Sequence, residues 1–284
     1  MIREYLPFGL VDPACPINWA HPMNYGLVAD WTTPPNSGWS GGLTLRDLAR
    51  GGKNPNDGTL TNGPTWSGNR PPGAIGQSIK FDGTNDHIVT ASGTTFGLTG
   101  ADASAFAWIN TTSVSTYQII FGKDNATTRD WGFGLGNTSA KLIFYRAVGT
   151  FPIIESSAVI TADEWQHVGF TKISTTMTLY RNGVSIGSGT NAETAGPSTS
   201  IMRIGSREYS GFEQYFSGSI YGPRYYSRGL SAAEVAALYN EQRTGSRGLY
   251  NWVDVPAMGP EAAASTFKAF LVPTRSHILG GGIL

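Results

Sequence analysis

Two carboxylates four residues apart, Asp82 and Asp86, form the best candidate metal-ligand pair in the sequence. They bracket a Gly-containing loop, DGTND, in which side-chain and backbone oxygens can converge on a hard cation such as Ca²⁺, which takes six to eight oxygen ligands. The same residues also suit a turn, because an Asp side chain readily accepts hydrogen bonds from backbone amides two residues on. The sequence therefore leaves two alternatives open here, a calcium site and a structural turn.

Aromatic residues in or beside Gly-rich segments are candidates for sugar-stacking platforms, provided that amides or carboxylates lie close by. Residues 209–215, YSGFEQY, are too polar and too interrupted by Gly to serve only as core. The alternative is that most rings fill the protein interior, the role that we expect for Trp31, Trp108 and Trp165. The candidate glycan-binding residues are Trp131, Tyr209, Phe212 and Tyr215, with Trp39 as a further candidate.

The sequence gives little support for catalysis. Its four histidines are scattered and show no metal-ligand spacing, and Cys15, the only cysteine, is expected to be a buried small apolar residue. No nucleophile elbow occurs, and the Gly-rich residues 132–136 alternate as a strand does, without the helix that a phosphate-binding loop requires. We therefore expect no enzymatic activity and no cofactor, apart from the calcium alternative. The histidines are His21, His87, His167 and His277.

Positive and negative side chains balance, with 20 Lys plus Arg and 20 Asp plus Glu among 284 residues. No overall basic field is present to attract nucleic acid or an anionic membrane, and we expect neither as a partner. Charged residues make up only 14%, whereas 37 glycines and 12% aromatic residues favour short strands joined by tight turns. The first residues lack the apolar run of a secretory signal, so we expect synthesis in a reducing cytosol.

The elements that must position these residues are mostly short strands bounded by Gly, Asn, Asp or Pro, which is the pattern of an all-β antiparallel sandwich. The clearest is the pair at residues 165–170 and 177–184, where Val168 and Phe170 share one face. We expect Asn182–Gly183 to close this pair, because Asn-Gly readily adopts the positive φ angles of a two-residue turn.

One helix is predicted, beginning at a capping box formed by Ser231 and Glu234 and ending near Arg243. Pro-rich residues 1–24 and apolar residues 249–284 are predicted to be extended arms that flank one domain, residues 25–248. Burial of their apolar side chains against neighbouring subunits would attach the chain to them, and this attachment would not weaken in moderate salt. The attachment residues proposed are Tyr5, Leu6, Phe8, Ile17, Trp19, Phe267, Phe270, Ile278 and Leu279.

In order and spacing, residues 25–243 resemble the laminin-G-like, or concanavalin A-like, jelly-roll domains. The resemblance implies a two-sheet jelly roll that usually binds rather than catalyses, and His167 as a structural residue. Some relatives bind calcium near Asp82, but this chain has GSIYGP at residues 218–223 where many carry G-x-I-D-D-V. The glycosidase pattern E-x-D-x-x-E of this fold is absent. The matching segments are residues 26–31, 57–66, 78–88, 105–108, 164–184, 216–220 and 224–239.

Two functions of different classes follow from this resemblance. The first is a non-enzymatic virion structural protein, such as a phage capsid decoration or cement protein. It is favoured because a usually secreted fold lacks an export signal, no intrachain disulfide can form, and two apolar arms flank the domain. Its expected location is the virion, and its expected partners are capsid or other virion subunits, in a small homo-oligomer such as a trimer. The alternative is a lectin-like carbohydrate-binding module on a phage tail or bacterial surface.

Overall fold

The computed structural model describes residues 10–11, 17–33, 42–50, 56–92, 94–98, 101–124, 129–136, 139–146, 153–190, 200–208, 214–244, 248–250 and 252–253. Short strands dominate these residues, as the turn-rich sequence predicted, together with one helix, α1 (Ala232–Arg243), and 3-10 turns at Pro22–Asn24, Leu48–Arg50 and Thr94–Phe96. The strands are β1 (Leu10–Val11), β2 (Leu27–Asp30), β3 (Thr44–Leu45), β4 (Gly58–Thr61), β5 (Thr65–Ser67), β6 (Ser78–Asp82), β7 (His87–Ser92), β8 (Ala103–Thr111), β9 (Gln118–Asp124), β10 (Arg129–Leu135), β11 (Lys141–Arg146), β12 (Ile153–Val159), β13 (Gln166–Ile173), β14 (Thr176–Arg181), β15 (Val184–Thr190), β16 (Ile201–Ile204), β17 (Ser217–Tyr226) and β18 (Trp252–Val253).

Two antiparallel sheets form the body of the molecule, which confirms the predicted all-β jelly-roll sandwich. Sheet 1 has the order β12-β11-β10-β9-β16-β7-β4-β3. Sheet 2 has the order β15-β14-β13-β8-β17-β6-β5, and β2 pairs with β17 beside it. Strands distant in sequence lie side by side in both sheets, so side chains far apart in the chain meet on one face.

The main core lies between the two sheets and follows from the alternation of the strands. In β10, Trp131 and Phe133 point inward, whereas the intervening Gly132 lies on the outer face. In β13, Phe170 meets this row, with its ring centroid 5.6 Å from that of Phe133. Trp31 is buried in the same core, as predicted.

The hairpin region confirms the predicted turn residues but changes the strands that they join. Asn182 and Gly183 have φ angles of 51° and 80°, as a two-residue Asn-Gly turn requires. They connect β14 to β15, however, whereas β13 and β14 are joined by residues 174–175, where Ser174 has a φ of 55°. The expected pairing of β13 with β14 is confirmed. The turn was assigned to the wrong pair, because the sequence contains three consecutive antiparallel strands rather than two.

Helix α1 covers the outer face of sheet 2 and begins at the predicted capping box. The Glu234 amide donates to Ser231 Oγ, and the Ser231 amide donates to Glu234 Oε2. In the part of the chain that the structure describes, no helix is both long and apolar enough to cross a membrane. Beneath α1, the Trp108 ring lies 5.5 Å from that of Tyr239.

This arrangement corrects the positions expected for two of the tryptophans. Trp108 and Trp165 pack in a cluster on the outer face of sheet 2, not between the sheets, because the neighbours of Trp108 in β8 are the residues that point inward. His167 is buried in the same region and stacks on Phe106 at 5.4 Å, which confirms its structural role.

The described parts of the two predicted arms pack on the domain. Ile17 is buried and pairs with Tyr250, and β1 pairs with β18. Ile17 is therefore not available to a neighbouring subunit, which corrects its assignment to the attachment surface. Trp19, by contrast, is 51% exposed. The other proposed attachment residues, Tyr5, Leu6, Phe8, Phe267, Phe270, Ile278 and Leu279, lie outside the described residues.

Candidate functional site: the outer face of sheet 1

The carboxylates of the β6–β7 loop close a turn. Asp82 Oδ1 accepts hydrogen bonds from the amides of Thr84, Asn85 and Asp86, at 2.8, 3.3 and 3.4 Å. Asp86 Oδ2 accepts from the Asp82 amide at 2.9 Å. The bond from Thr84 is the main reason that the pKa of Asp82 is lowered, while burial raises the pKa of Asp86. This geometry is that of the turn-forming alternative.

Metal-binding geometry is not seen elsewhere either: within the described ranges, no three His, Cys, Asp or Glu side chains converge as a metal site would require.

Trp131 is not a surface platform, and that prediction is wrong. Its side chain is 0% exposed, its ring lies against that of Phe144, and its Nε1 donates to the Phe96 carbonyl at 2.8 Å. The glycines beside it suggested a loop, but Gly132 and Gly134 are the outer positions of β10, so Trp131 points into the core.

Of the other candidate glycan-binding residues, only Tyr215 is described. It is half-buried and its ring centroid lies 6.2 Å from that of His87, a residue of β7. Tyr209, Phe212 and Trp39 lie outside the described residues. Tyr215 therefore locates this candidate site beside the end of β7, on sheet 1.

A row of residues crosses the outer face of sheet 1 at this position. The strand register aligns Arg203 of β16, Gly122 of β9, Gly132 of β10 and Tyr145 of β11, and residues directly opposite each other in a sheet share a face. The two glycines admit close neighbours. A Cβ atom at Gly132 would lie 2.3 Å from Tyr145 Cζ, and one at Gly122 would lie 2.6 Å from the Ser206 carbonyl oxygen.

The base of this row is a buried hydrogen-bonded group. Tyr145 Oη donates to Asp124 Oδ2 at 2.7 Å, and the Asp130 amide donates to Asp124 Oδ1 at 2.8 Å. The Arg207 guanidinium lies 5.2 Å from the centre of the Tyr145 ring. Burial raises the pKa of Asp124 to about 6. Since these side chains are almost inaccessible, they fix the shape of the face rather than contact a ligand directly.

The accessible part of the face lies next to this base. Arg203 Nη2 and Glu208 Oε2 form an ion pair at 2.8 Å, and both side chains are partly exposed. Arg203 Nε and Ser206 Oγ have no hydrogen-bond partner among the described residues. His87 and Ser206 are buried, so the accessible groups here are the Arg203–Glu208 ion pair and the half-buried ring of Tyr215, which lies next to His87. We call this set the outer-face cluster: His87, Asp124, Tyr145, Arg203, Ser206, Arg207, Glu208 and Tyr215.

Sequence reasoning missed most of this cluster. Asp124 and Tyr145 are 21 residues apart, and neither belongs to a motif. The available sequence indication was the series of glycines, since a Gly inside a strand often marks close approach by another group. Gly132 and Gly134 served only to predict the strand.

Comparison with known proteins agrees with this architecture. A family model described as the concanavalin A-like lectin/glucanases superfamily matches residues 82–236, which is more than half of the chain. A search of curated protein sequences found no match.

Three solved structures show the same fold at low sequence identity. Domain 4 of AbnA, a GH43 extracellular arabinanase from Geobacillus stearothermophilus, in complex with arabinotriose, has a TM-score of 0.58 and 19% identity over 75% of this chain and 98% of that one. The binding domain of Paraclostridial Mosquitocidal Protein 1 has a TM-score of 0.60 and 18% identity, over 77% and 53%. A mutant of Trypanosoma rangeli sialidase displaying trans-sialidase activity has a TM-score of 0.57 and 15% identity, over 78% and 34%.

The extent of the match differs among the three. This chain spans nearly all of the arabinanase domain, about half of the mosquitocidal binding domain and about a third of the sialidase. The family match, the strand order and the two-sheet core agree, and the chain belongs to the concanavalin A-like lectin/glucanase superfamily.

Proposed function

We propose that this protein is a non-enzymatic, lectin-like carbohydrate-binding module that binds its glycan at the outer-face cluster. The observation that carries the proposal is the partly exposed Arg203–Glu208 ion pair on the outer face of sheet 1. Arg203 is in register with Val89, two residues along β7 from His87, whose ring lies 6.2 Å from that of the half-buried Tyr215. Sugars present hydroxyl groups around a ring with apolar C–H faces, so charged hydrogen-bonding groups beside an aromatic ring match both features. The buried Asp124–Tyr145 bond holds the face in a preformed shape, which lowers the cost of binding.

The relatives support a binding role. The arabinanase domain, of which this chain spans nearly the whole, was solved with arabinotriose, and the mosquitocidal protein fragment is a binding domain. The sialidase supports the fold alone, because this chain matches only about a third of its length. A module comparable to the arabinanase domain would bind a saccharide.

A glycan array tests this proposal. The full-length chain is expected to give saturable signals, and for a set of glycans these should fall at least tenfold in Tyr215→Ala and Glu208→Gln. The matched control is Tyr117→Ala, which removes an exposed ring just before β9 that is not part of the cluster, and should leave binding unchanged. Glycans recovered after incubation should be intact by mass spectrometry. Equal binding by all four proteins, or cleavage of the bound glycan, would contradict the proposal.

A second proposal concerns the setting of the module: attachment to a virus particle, as a capsid decoration or other virion subunit, through the terminal segments. Its supporting observation is that β1 and β18 pair antiparallel, with Leu10 opposite Val253. The chain before Leu10 and the chain after Val253 therefore begin at one place on the domain, where both could contact the same neighbour. Removal of residues 1–9 and 254–284 should abolish binding to capsid shells, whereas moderate salt should not. Shells that bind the trimmed chain equally well would exclude this attachment.

A further inference from the structure

An open groove lies on the other side of the molecule, between the 3-10 turn at Pro22–Asn24 and helix α1. Its volume is about 470 Å³, which is within the usual range of small-ligand sites, roughly 300–1,000 Å³. The turn supplies one wall and the last two turns of α1 supply the other. The residues that matter here are His21, Met23, Ala237, Asn240, Glu241 and Thr244.

Both walls of the groove are held in place. Asn24 Nδ2 donates to the carbonyl oxygens of Asn18 and Leu249, each at 2.9 Å, and the Asn18 amide donates to the Leu249 carbonyl at 3.1 Å. On the helix side, Thr244 Oγ1 donates to the Asn240 carbonyl at 2.9 Å. The groove is thus preformed, and a ligand would not have to order it.

The lining combines an apolar base with polar groups at its edges. Met23 is buried at the base, and Ala237 adds further apolar surface. His21 Nε2 lies 3.9 Å from Glu241 Oε1, so an imidazole and a carboxylate lie together where the two walls of the groove meet. Asn240 adds an exposed amide. These are donors and acceptors suited to hydroxyl groups.

Two strongly exposed aromatic residues adjoin, along the chain, the turn that forms one wall of the groove. Among the described residues, three aromatic side chains are strongly exposed: Trp19 at 51%, Tyr25 at 76% and Tyr117 at 40%. Trp19 lies two residues before His21, and Tyr25 follows Asn24, so two of the three flank the groove wall along the chain. An exposed aromatic ring near a polar groove is the kind of group that stacks against a sugar.

We propose that this groove is a second carbohydrate site, which accepts a neutral pyranose unit. Trp19 would stack on the sugar ring, and His21, Asn240 and Glu241 would bind its hydroxyl groups. The Glu241 carboxylate disfavours acidic sugars, since it would face their negative charge. The proposal shares the ligand class of the outer-face cluster but rests on different residues, so either site can fail without the other.

The test is a printed array of neutral and sialylated glycans, read with the full-length protein and its variants. Trp19→Ala and Glu241→Ala are expected to reduce the signals of a set of neutral glycans at least tenfold while leaving sialylated glycans unchanged. Tyr215→Ala should leave the Trp19-dependent signals intact, and Tyr117→Ala serves as the matched exposed-ring control. Because both groove side chains are partly exposed, the melting temperatures should stay close to that of the original protein.

Several results would overturn this site. If Trp19→Ala and Glu241→Ala bind every glycan as the original protein does, the groove is not a sugar site, and loss in Tyr215→Ala alone would leave the outer-face cluster standing. If only the groove variants lose binding, the groove stands and the proposed outer-face site fails. If sedimentation velocity shows that Trp19→Ala dissociates an oligomer while glycan binding persists, the ring is a subunit contact instead.

Discussion

Two buried ion pairs hold strands of this protein together, one between β2 and β17 and one between the consecutive strands β9 and β10. Arg224 Nη2 lies 2.5 Å from Asp30 Oδ2, and Tyr250 Oη donates to the same oxygen at 2.9 Å. Lys123 Nζ lies 3.0 Å from Asp130 Oδ2. Removing one member of such a pair leaves a charge without compensation in the interior, at a cost of about 3–5 kcal/mol. We therefore assign these four charges to the stability of the fold and not to ligand binding.

His167 makes the stability of this protein depend on pH. Burial, together with the nearby Arg224 charge, lowers its pKa from 6.5 to about 3. Below pH 6.5 the unfolded chain takes up a proton at this residue and the folded protein does not, so stability falls as pH falls towards 3. The slope is about 1.4 kcal/mol per pH unit. Denaturation of the original protein and His167→Phe at pH 7, 6, 5 and 4 should show their free-energy difference changing by that slope below pH 6.

Comparing the original protein with His167→Phe separates the effect of His167 from that of buried groups with the opposite pH dependence. Burial raises the pKa of both Asp47 and Asp124 to about 6, above the unfolded value of 3.8. Each therefore stabilises the folded protein as pH falls through that interval, which opposes the effect of His167. Both aspartates are present in the two proteins and cancel in the difference. Parallel stability curves would show that His167 is protonated in the folded state.

At the scale of residues, the sequence predicted local interactions and missed distant ones. Asp82 bonds to amides two to four residues away, and the Ser231–Glu234 box spans three residues, so both could be read from spacing. Arg224 and Asp30 are 194 residues apart, and no local sequence pattern predicts such a pair. Most of the outer-face cluster could not be predicted from the sequence for the same reason, because its residues come from several strands.

The turn between β14 and β15 shows why an element can depend on one glycine. Asn182 and Gly183 both have positive φ angles, and the Asn182 amide donates to the His167 carbonyl of the neighbouring β13 at 2.7 Å. The turn also lies under α1. A Cβ atom at Gly183 would lie 3.2 Å from Ala236 Cα and 3.3 Å from Tyr239 Cβ. Backbone conformation and helix packing both favour glycine here.

Gly183→Ala should therefore lower the free energy of unfolding by about 1–2 kcal/mol, since an L-residue in the left-handed region costs that amount before any contact with α1. The matched control is Gly68→Ala, where an added Cβ would have no atom within 4 Å and the φ angle is not positive. Urea denaturation should show a shift within about 0.5 kcal/mol for the control. Similar losses in both variants would contradict the role of the turn.

Two strands that the sequence did not predict, β12 and β15, are edge strands of sheets 1 and 2. Their sequences are IIESSAV and VSIGSGT, in which Ser and Gly interrupt the alternation of apolar and polar residues. An edge strand has one neighbour and less apolar surface to bury, so its periodicity is weak. The two edges also contact each other, as Ser157 Oγ donates to the Ile186 carbonyl at 2.8 Å. Central strands such as β10 and β13, which are buried on both sides, were predicted correctly.

For the whole molecule, the segments near the two ends of the chain complete the outer face of sheet 2. Ile17, Leu249 and Tyr250 are buried with side chains of α1 in one cluster. The hydroxyl of Tyr250 also accepts a hydrogen bond from Arg224 at 2.8 Å, so the C-terminal segment closes the buried network around Asp30. The folded unit therefore extends beyond the predicted boundary of residues 25–248.

Two truncations separate the folded unit from the attachment segments. A chain that ends after Val253 retains every described contact of Leu249 and Tyr250, and we expect its stability to be unchanged. A chain that ends after Ser246 loses both side chains, each worth about 1.5–3 kcal/mol, and opens the Asp30–Arg224 network to water. It should lose about 3–6 kcal/mol, a large part of the roughly 5–15 kcal/mol that stabilises a typical domain. Guanidinium denaturation of both chains measures this difference.

Tyr250→Phe, which keeps the ring and removes only the hydroxyl, should cost about 1–3 kcal/mol in the full-length protein and so gives a value even if the shorter chain does not fold. Equal stability of the two truncated chains would show that the C-terminal segment rests on the domain without supporting it.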